Sequence, residues 1–174
     1  MSPDGYQGEY YRRIDEKGRV SIPTQFRDKG EGEFHITLGP DLCLRVYNTH
    51  EYAKQRELMR KLDDTIDSAR AVKRLMLTCM FEKCDGVGRI MLTSDQTRQA
   101  QIRKEVAIVG MDDHFEIWAK DVWAAQRLQD MQSYRENYRN IPKMLRTWVE
   151  PSPLTMTPSA SPPTAPTRES NEGA

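Results

Sequence analysis

The chain has no excess of charge of either sign, no long hydrophobic run and only three cysteines. Of its 174 residues, 26 are Lys or Arg and 26 are Asp or Glu, so the formal net charge is zero. A protein that coats nucleic acid by bulk charge is strongly basic, so that class is excluded. The best apolar run, Leu75 to Phe81, is interrupted by Thr78 and Cys79. It is far shorter than the about 18 residues of a membrane helix, so we expect no membrane partner.

The three cysteines, Cys43, Cys79 and Cys84, are odd in number and too sparse for a disulfide framework. The first residues include Asp4 and Glu9 and lack the apolar region of a secretory signal peptide. These features are typical of a protein of the reducing cytoplasm, and we expect that location here.

Composition divides the chain into segments. Residues 149–174 hold six of the ten prolines and no aromatic residue. Such a segment cannot bury enough apolar surface to offset its ordering entropy, which predicts a disordered Pro/Ser/Thr-rich tail. A short polar leader is predicted at residues 1–7, a helical linker at 54–77 and a C-terminal helix at 125–148.

An internal repeat occupies the remainder, at residues 8–53 and 78–124. Asp15 to Ile22 recurs seventy residues later as Asp85 to Leu92, and each copy reads D-x-x-G-R followed by alternating apolar positions. The agreement continues after a one-residue shift, since Leu44-Arg45-Val46-Tyr47 corresponds to Phe115-Glu116-Ile117-Trp118. Collinear agreement over about forty positions indicates two copies of one structural unit.

Each unit predicts the same order of elements, which makes the fold class α+β. A strand (about Glu9 to Ile14, and Met80 to Cys84) runs into a tight turn, and a second strand with period-2 alternation leaves it. Gly18 and Gly88 supply the positive φ that such a turn needs. A short helix and two further strands complete each unit. The second short helix has Ser94 or Asp95 as its predicted N-cap.

Longer helices follow each unit. Thr49 and Ser68 are candidate N-caps for two of them, and a last helix begins near Asp121. Their apolar residues recur at helical spacing, which predicts faces that pack on the core or on another subunit. These residues are Tyr52, Met59, Leu62, Val72, Leu75, Met76, Val122, Ala125, Leu128 and Met131.

Patterns of catalytic or metal-binding residues are missing from the sequence. His35, His50 and His114 lie in different predicted elements, and Cys79 and Cys84 stand five apart without a second ligand pair. Residues 86–88, Gly-Val-Gly, are too short for a phosphate-binding loop and open a strand. A Cys–His nucleophile pair has no support in the sequence. We therefore expect no enzyme, no cofactor, no metal and no small-molecule substrate.

The repeated turns are the candidate functional site. A turn needs its glycine, but both copies also keep an arginine directly after it, Arg19 and Arg89. A guanidinium group is a planar fork that matches phosphate or the O6/N7 edge of guanine. Asp15 and Asp85, four residues earlier, can hold that fork in one orientation. Because two-stranded β-ribbons fit the major groove, we expect two Arg-tipped ribbons that contact double-stranded DNA.

The charge near the first turn agrees with this hypothesis, since Arg13 and Lys17 lie close to Arg19 in sequence. The second turn has Val87 at the position of Lys17 and is less basic. A neutral protomer with two small contact loops binds DNA weakly. Linking several protomers raises the avidity by about 10²–10⁴, so we expect a homo-oligomer.

The residues resemble the MraZ family. The resemblance rests on Gly8-Glu9-Tyr10, Asp15 to Pro23, Phe26-Arg27, Cys84 to Arg89, Lys104-Glu105-Val106 and Phe115 to Trp118, and covers about residues 8–130. It implies a bacterial transcriptional regulator with two AbrB-like swapped-hairpin units in one chain and flanking helices. It further implies ring-like oligomers, association with the nucleoid, and binding to promoter repeats upstream of division and cell-wall genes. The DNA contacts that it implies are Asp15 with Arg19 and Asp85 with Arg89.

A second hypothesis keeps the fold and changes the partner. Asp and Gly are ordinary turn residues, and an exposed arginine is usually a solvated charge. The chain would then be a structural or interaction oligomer whose turns contact a protein and not DNA.

Overall fold

A computed structural model describes residues 5–141 of the chain. Residues up to Ser133 belong to one compact unit, and a second unit begins at Tyr134. The elements, in chain order, are β1 (Glu9–Arg13), β2 (Arg19–Ser21), α1 (Thr24–Lys29), β3 (Glu33–Leu38), β4 (Leu44–Asn48), α2 (Thr49–Arg60), α3 (Asp67–Leu77), β5 (Met80–Lys83), β6 (Arg89–Met91), α4 (Ser94–Gln99), β7 (Glu105–Gly110), β8 (Phe115–Ala119), α5 (Lys120–Asn137) and a 3-10 helix (Tyr138–Asn140). The predicted α+β class and the repeated order of elements are confirmed.

The two repeats exchange their outer strands. The six-stranded sheet has the order β1-β7-β8-β4-β3-β5, with all neighbours antiparallel. Thus β1 of the first repeat pairs with β7 of the second, and β5 of the second repeat pairs with β3 of the first. Because an outer strand of each repeat pairs with an inner strand of the other, the two repeats form a single sheet.

A second sheet is made of β2 and β6, one strand from each repeat. Val20 lies opposite Ile90 in this antiparallel pair, and Arg19 lies opposite Met91. Val20 and Ile90 are fully buried and belong to the same apolar core as the inner face of the large sheet. The small sheet therefore shares one core with the large sheet, and its two strands follow the two turns.

Helix α1 anchors the first repeat through Phe26, which is 1% exposed. Its ring contacts those of Tyr6, Tyr10 and Phe115 at centroid separations of 5.2, 5.4 and 5.2 Å. Such edge and tilted contacts add to the stabilisation from buried area. Gln96 occupies the corresponding position of α4, so this side of the core is aromatic and the other is not.

Helix caps differ from the predicted residues. Thr93, and not Ser94 or Asp95, is the N-cap of α4, and it forms a capping box with Gln96. Asn48 caps α2 in place of Thr49, because its side chain reaches the backbone N–H of Glu51. The predicted cap Ser68 lies inside α3, which begins at Asp67 without a side-chain cap.

The predicted helix faces are only partly buried. Tyr52 is buried, and Val122 packs against the core. Val72, Leu75, Leu128 and Met131 are exposed, so these four do not pack on the core within one chain. For these four residues, the predicted contact with another subunit stays a prediction.

The ordered contacts begin before residue 8. Tyr6 is fully buried and pairs with Asp112 through backbone hydrogen bonds, so the predicted polar leader contributes to the core. The predicted disordered tail at 149–174 and the last residues of the predicted C-terminal helix lie outside the described residues. No helix in the described range is long and apolar enough to cross a membrane.

Candidate functional site

The first turn is closed around the side chain of Asp15. Its Oδ1 accepts hydrogen bonds from the backbone N–H of Lys17 and of Arg19, both at 2.9 Å. The backbone N–H of Gly18 donates to the Asp15 carbonyl at 2.9 Å, with Gly18 at φ +79°. Only glycine adopts this φ without strain, as predicted. The aspartate therefore organises the backbone of the turn.

The second turn repeats this geometry. Asp85 Oδ1 accepts from the backbone N–H of Val87 at 3.1 Å and of Arg89 at 3.0 Å, and Gly88 has φ +81°. The two turns are also tied to each other's strands, because Ile22 donates to the Gly88 carbonyl at 3.0 Å. Two distant motifs of the sequence thus form one paired structure.

Each arginine is held by the aspartate of its own turn. Arg19 Nε donates to Asp15 Oδ2 at 2.7 Å, and Arg89 Nε donates to Asp85 Oδ2 at 2.8 Å. The arginine side chains are 33% and 29% exposed, so both groups reach solvent. The sequence predicted this orientation by aspartate, and the geometry agrees.

The two guanidinium groups differ in what they leave free. Arg89 Nη2 also lies 2.7 Å from Asp85 Oδ2, and its Nη1 lies 3.8 Å from Asp15 Oδ2. The guanidinium group of Arg19 contacts Asp15 through Nε alone, and within residues 5–141 its two Nη atoms have no hydrogen-bond partner. Arg19 therefore presents the freer fork. The Arg89–Asp15 approach also places the two turns next to each other.

Hydrogen bonds to the charged carboxylates lower the pKa of both aspartates. The Arg89 side chain is the main cause at Asp85, whose pKa falls to about 2, and the Arg19 backbone N–H is the main cause at Asp15. A group with a lowered folded-state pKa stabilises the fold above its unfolded value, and that contribution is lost as the pH falls through the folded value. The Asp–Arg pairs are therefore intact from neutral pH down to about pH 4.

A carboxyl ¹³C titration by NMR tests this electrostatic arrangement. We expect Asp85 to titrate with a pKa of about 2, and Asp15 with a pKa below the ordinary value of an aspartate. Arg89→Ala removes the main cause at Asp85, so the Asp85 midpoint is expected to move upward while that of Asp15 keeps its low value. An Asp85 midpoint near 3.9 in the unaltered protein would contradict the paired geometry.

Further basic residues surround the first turn. Arg13 at the end of β1 and Lys17 in the turn are exposed, and neither side chain takes part in an ion pair with another described residue. The backbone N–H of Ile14 donates to the carbonyl of Lys104 at 3.0 Å, which brings the exposed Arg103 and Lys104 of the second repeat beside this turn. Sequence reasoning missed the last two, because only strand exchange makes them neighbours.

The strands next to the two turns do not pair as the predicted ribbons require. The strands flanking the first turn, β1 and β2, share only the bridge between Ile14 and Val20 before they enter different sheets. The expectation that each turn is the tip of its own two-stranded ribbon is therefore wrong. The ribbon between the turns is β2 with β6, one strand from each repeat.

The cysteines and histidines form no comparable site. Cys79 Sγ does approach His35 Nδ1 at 3.9 Å, a pair that sequence spacing gave no reason to expect. The His35 ring is stacked on Tyr52 at 4.3 Å, so the pair lies in an aromatic packing contact. No group of three or more His, Cys, Asp or Glu residues in the described part of the chain is arranged to hold a metal ion.

Comparison with known proteins agrees with this architecture. The family model described as "MraZ protein, putative antitoxin-like" matches residues 6–75 and 80–143, well over half of the chain. The chain belongs to the MraZ family. The two matched segments each contain one D-x-x-G-R turn, so the family pattern follows the internal repeat.

Two curated MraZ proteins illustrate how close the similarity is. The chain is 40% identical over 116 residues to a protein of Finegoldia magna, which covers 66% of this chain and 81% of that one. It is 34% identical over 141 residues to a protein of Desulforamulus reducens, which covers 80% and 99% respectively. Both relatives are named "Transcriptional regulator MraZ".

Proposed function

We propose that this MraZ-family chain is a sequence-specific regulator of transcription that binds double-stranded DNA through its paired turns. The observation that carries the proposal is the juxtaposition of Arg19 and Arg89, each oriented by an aspartate and each open to solvent. An arginine fixed in this way loses little side-chain entropy when it binds. The names of the relatives support a role in transcription.

The arrangement of the turns suits base readout. The free Nη pair of Arg19 matches the O6 and N7 acceptors of guanine in the major groove. Asp15, Arg19, Asp85 and Arg89 form the centre of the proposed interface. Arg13 and Lys17, which are exposed and have no ion-pair partner among the described residues, are proposed phosphate contacts at its edge.

Oligomerisation is part of the proposal. Five apolar residues of α3 and β5 are each between 44% and 53% exposed: Val72, Leu75, Leu77, Met80 and Phe81. Strand β5 is also an edge of the large sheet. Exposed apolar surface next to an open sheet edge is a typical subunit contact. A ring-like homo-oligomer would place several pairs of turns on repeated DNA sites.

The proposed targets are promoter repeats upstream of division and cell-wall genes, and the proposed location is the cytoplasm, in association with the nucleoid. Membership of the MraZ family supports both proposals. A protomer of zero net charge agrees with local contacts at promoter sites and not with uniform coating of the chromosome.

Selection from a random duplex library tests this function. We expect the full chain to enrich a short repeated sequence and to bind it with a log–log salt slope of about −0.9 for each phosphate contacted. Its mass in solution, measured by light scattering, is expected to exceed that of one chain. Failure to enrich any sequence would favour the alternative, an interaction oligomer whose turns contact a protein.

A further inference from the structure

The two turns differ in the number of charged residues, and a basic side chain from the first repeat lies beside the second turn. The first turn contains Asp15, Glu16, Lys17 and Arg19, while the second has Gly86 and Val87 at the two middle positions. Each set of turn residues is formally neutral. The number of basic residues that contact phosphates sets the electrostatic part of the affinity, and the second turn itself contains one basic residue, Arg89, where the first contains two.

Arg27 of α1 lies directly against the second turn. A Cβ placed on Gly88 would meet Arg27 Nη1 at 1.9 Å and Cζ at 2.4 Å, so the guanidinium covers the space that any side chain at this position would need. Gly88 thus serves two purposes, a positive φ and room for an arginine of the first repeat.

The hydrogen bonds of Arg27 leave one end of its fork open. Nη2 donates to Thr24 Oγ1 at 2.8 Å, which holds the side chain on its own helix. Nε is buried and has no hydrogen-bond partner. Nη1 donates to no group in the described range either, but it is not buried. The charge is therefore fixed next to the second turn with an unused donor.

The first turn has no equivalent cover. A Cβ on Gly18 would meet only the Leu92 carbonyl group. Thr97 of α4 takes the place of Arg27, and its hydroxyl donates to the carbonyls of Thr93 and Ser94 on its own helix. The asymmetry matches the sequence, because the first turn has its own Lys17 and the second does not.

We infer that Arg27 is a phosphate contact of the second turn, so that this part of the DNA interface is a composite of both repeats. This inference rests on the proposed function and adds a residue to the same interface. A phosphate contact strengthens binding to every sequence alike, unlike a base contact. Arg27 would add a second basic residue to the second turn, where Val87 stands at the position of Lys17.

Arg27→Gln tests the inference, because glutamine keeps a polar side chain and removes the charge. We expect the selected duplex and a random duplex to be weakened by the same factor. The log–log salt slope is expected to fall by about 1 for each protomer that engages DNA. Arg27→Lys keeps the charge and is expected to keep the slope.

Arg98→Gln is the matched control. Arg98 lies on α4, and its side chain is 75% exposed. It forms an ion pair with Asp95 of the same helix at 2.5 Å and contacts neither turn within the described residues. A slope unchanged in Arg27→Gln, or reduced equally in Arg98→Gln, overturns the inference while leaving the proposed function intact. If the unaltered chain binds no DNA, the proposed function itself fails.

A second measurement needs no variant that might misfold. In the full chain with ¹⁵N-labelled arginine, the guanidinium resonance of Arg27 is expected to shift when the selected duplex saturates the protein. Arg98 is expected to keep its resonance. A stationary Arg27 resonance in the presence of shifted Arg19 signals overturns the inference.

Discussion

Arg19→Ala is expected to weaken binding to the selected DNA sequence by about 5- to 150-fold, which corresponds to about 1–3 kcal/mol. The guanidinium group of Arg19 contacts Asp15 through Nε alone, so both of its Nη atoms are available to bind the edge of a base. Its loss is expected to relax the sequence preference, because a bidentate contact discriminates between bases. The measurement is affinity for the selected duplex and for single-base variants at constant salt.

Arg19→Lys separates charge from geometry at the same position. Lysine keeps the charge and loses the planar fork. We expect this variant to retain its affinity for random duplex and to lose discrimination between bases. Arg89→Ala is expected to have a smaller effect than Arg19→Ala, because Arg89 already contacts Asp85 twice and lies near Asp15. Equal preference in Arg19→Ala and the unaltered chain would contradict base readout.

Phe26→Ala is expected to cost about 3–5 kcal/mol of folding free energy. The ring is 1% exposed and contacts three other rings, so its removal leaves a cavity in the aromatic side of the core. For a chain of this size the expected fall in melting temperature is about 10 °C or more. Calorimetry or chemical denaturation measures it directly.

Gln96→Ala is the matched control at the corresponding position of the second repeat. It removes the hydrogen bond from the Thr93 N–H to Gln96 Oε1, which is worth about 1 kcal/mol. We expect a much smaller loss of stability than for Phe26→Ala. Equal losses of stability in the two variants would contradict the observed packing, in which the ring of Phe26 contributes more to the core than the side chain of Gln96.

The sequence predicts the parts of this fold that depend on local chemistry. The positive φ at Gly18 and Gly88, and the aspartates that close the turns, follow from residue types at fixed spacing. The strand order does not follow, because period-2 alternation marks a strand without naming its partner. The pairing of β1 with β7 joins strands of different repeats, and local patterning does not specify it.

The same limit explains which site residues were missed. Arg103 and Lys104 are far in sequence from the first turn, and only the exchange of strands brings them beside it. Their signal in the sequence is weak, since a basic residue in a helix or loop is usually a solvated charge. Tyr6 was assigned to the leader for a similar reason, because its partner Asp112 lies in the other repeat.

The most direct measurement is the affinity of the double variant Arg19→Ala, Arg89→Ala for the selected duplex, with light scattering as a control for assembly. The paired-turn mechanism predicts that the variant keeps the mass of the unaltered protein and binds the selected duplex no better than random DNA. An assembled double variant that still binds the selected duplex with the original affinity would contradict it.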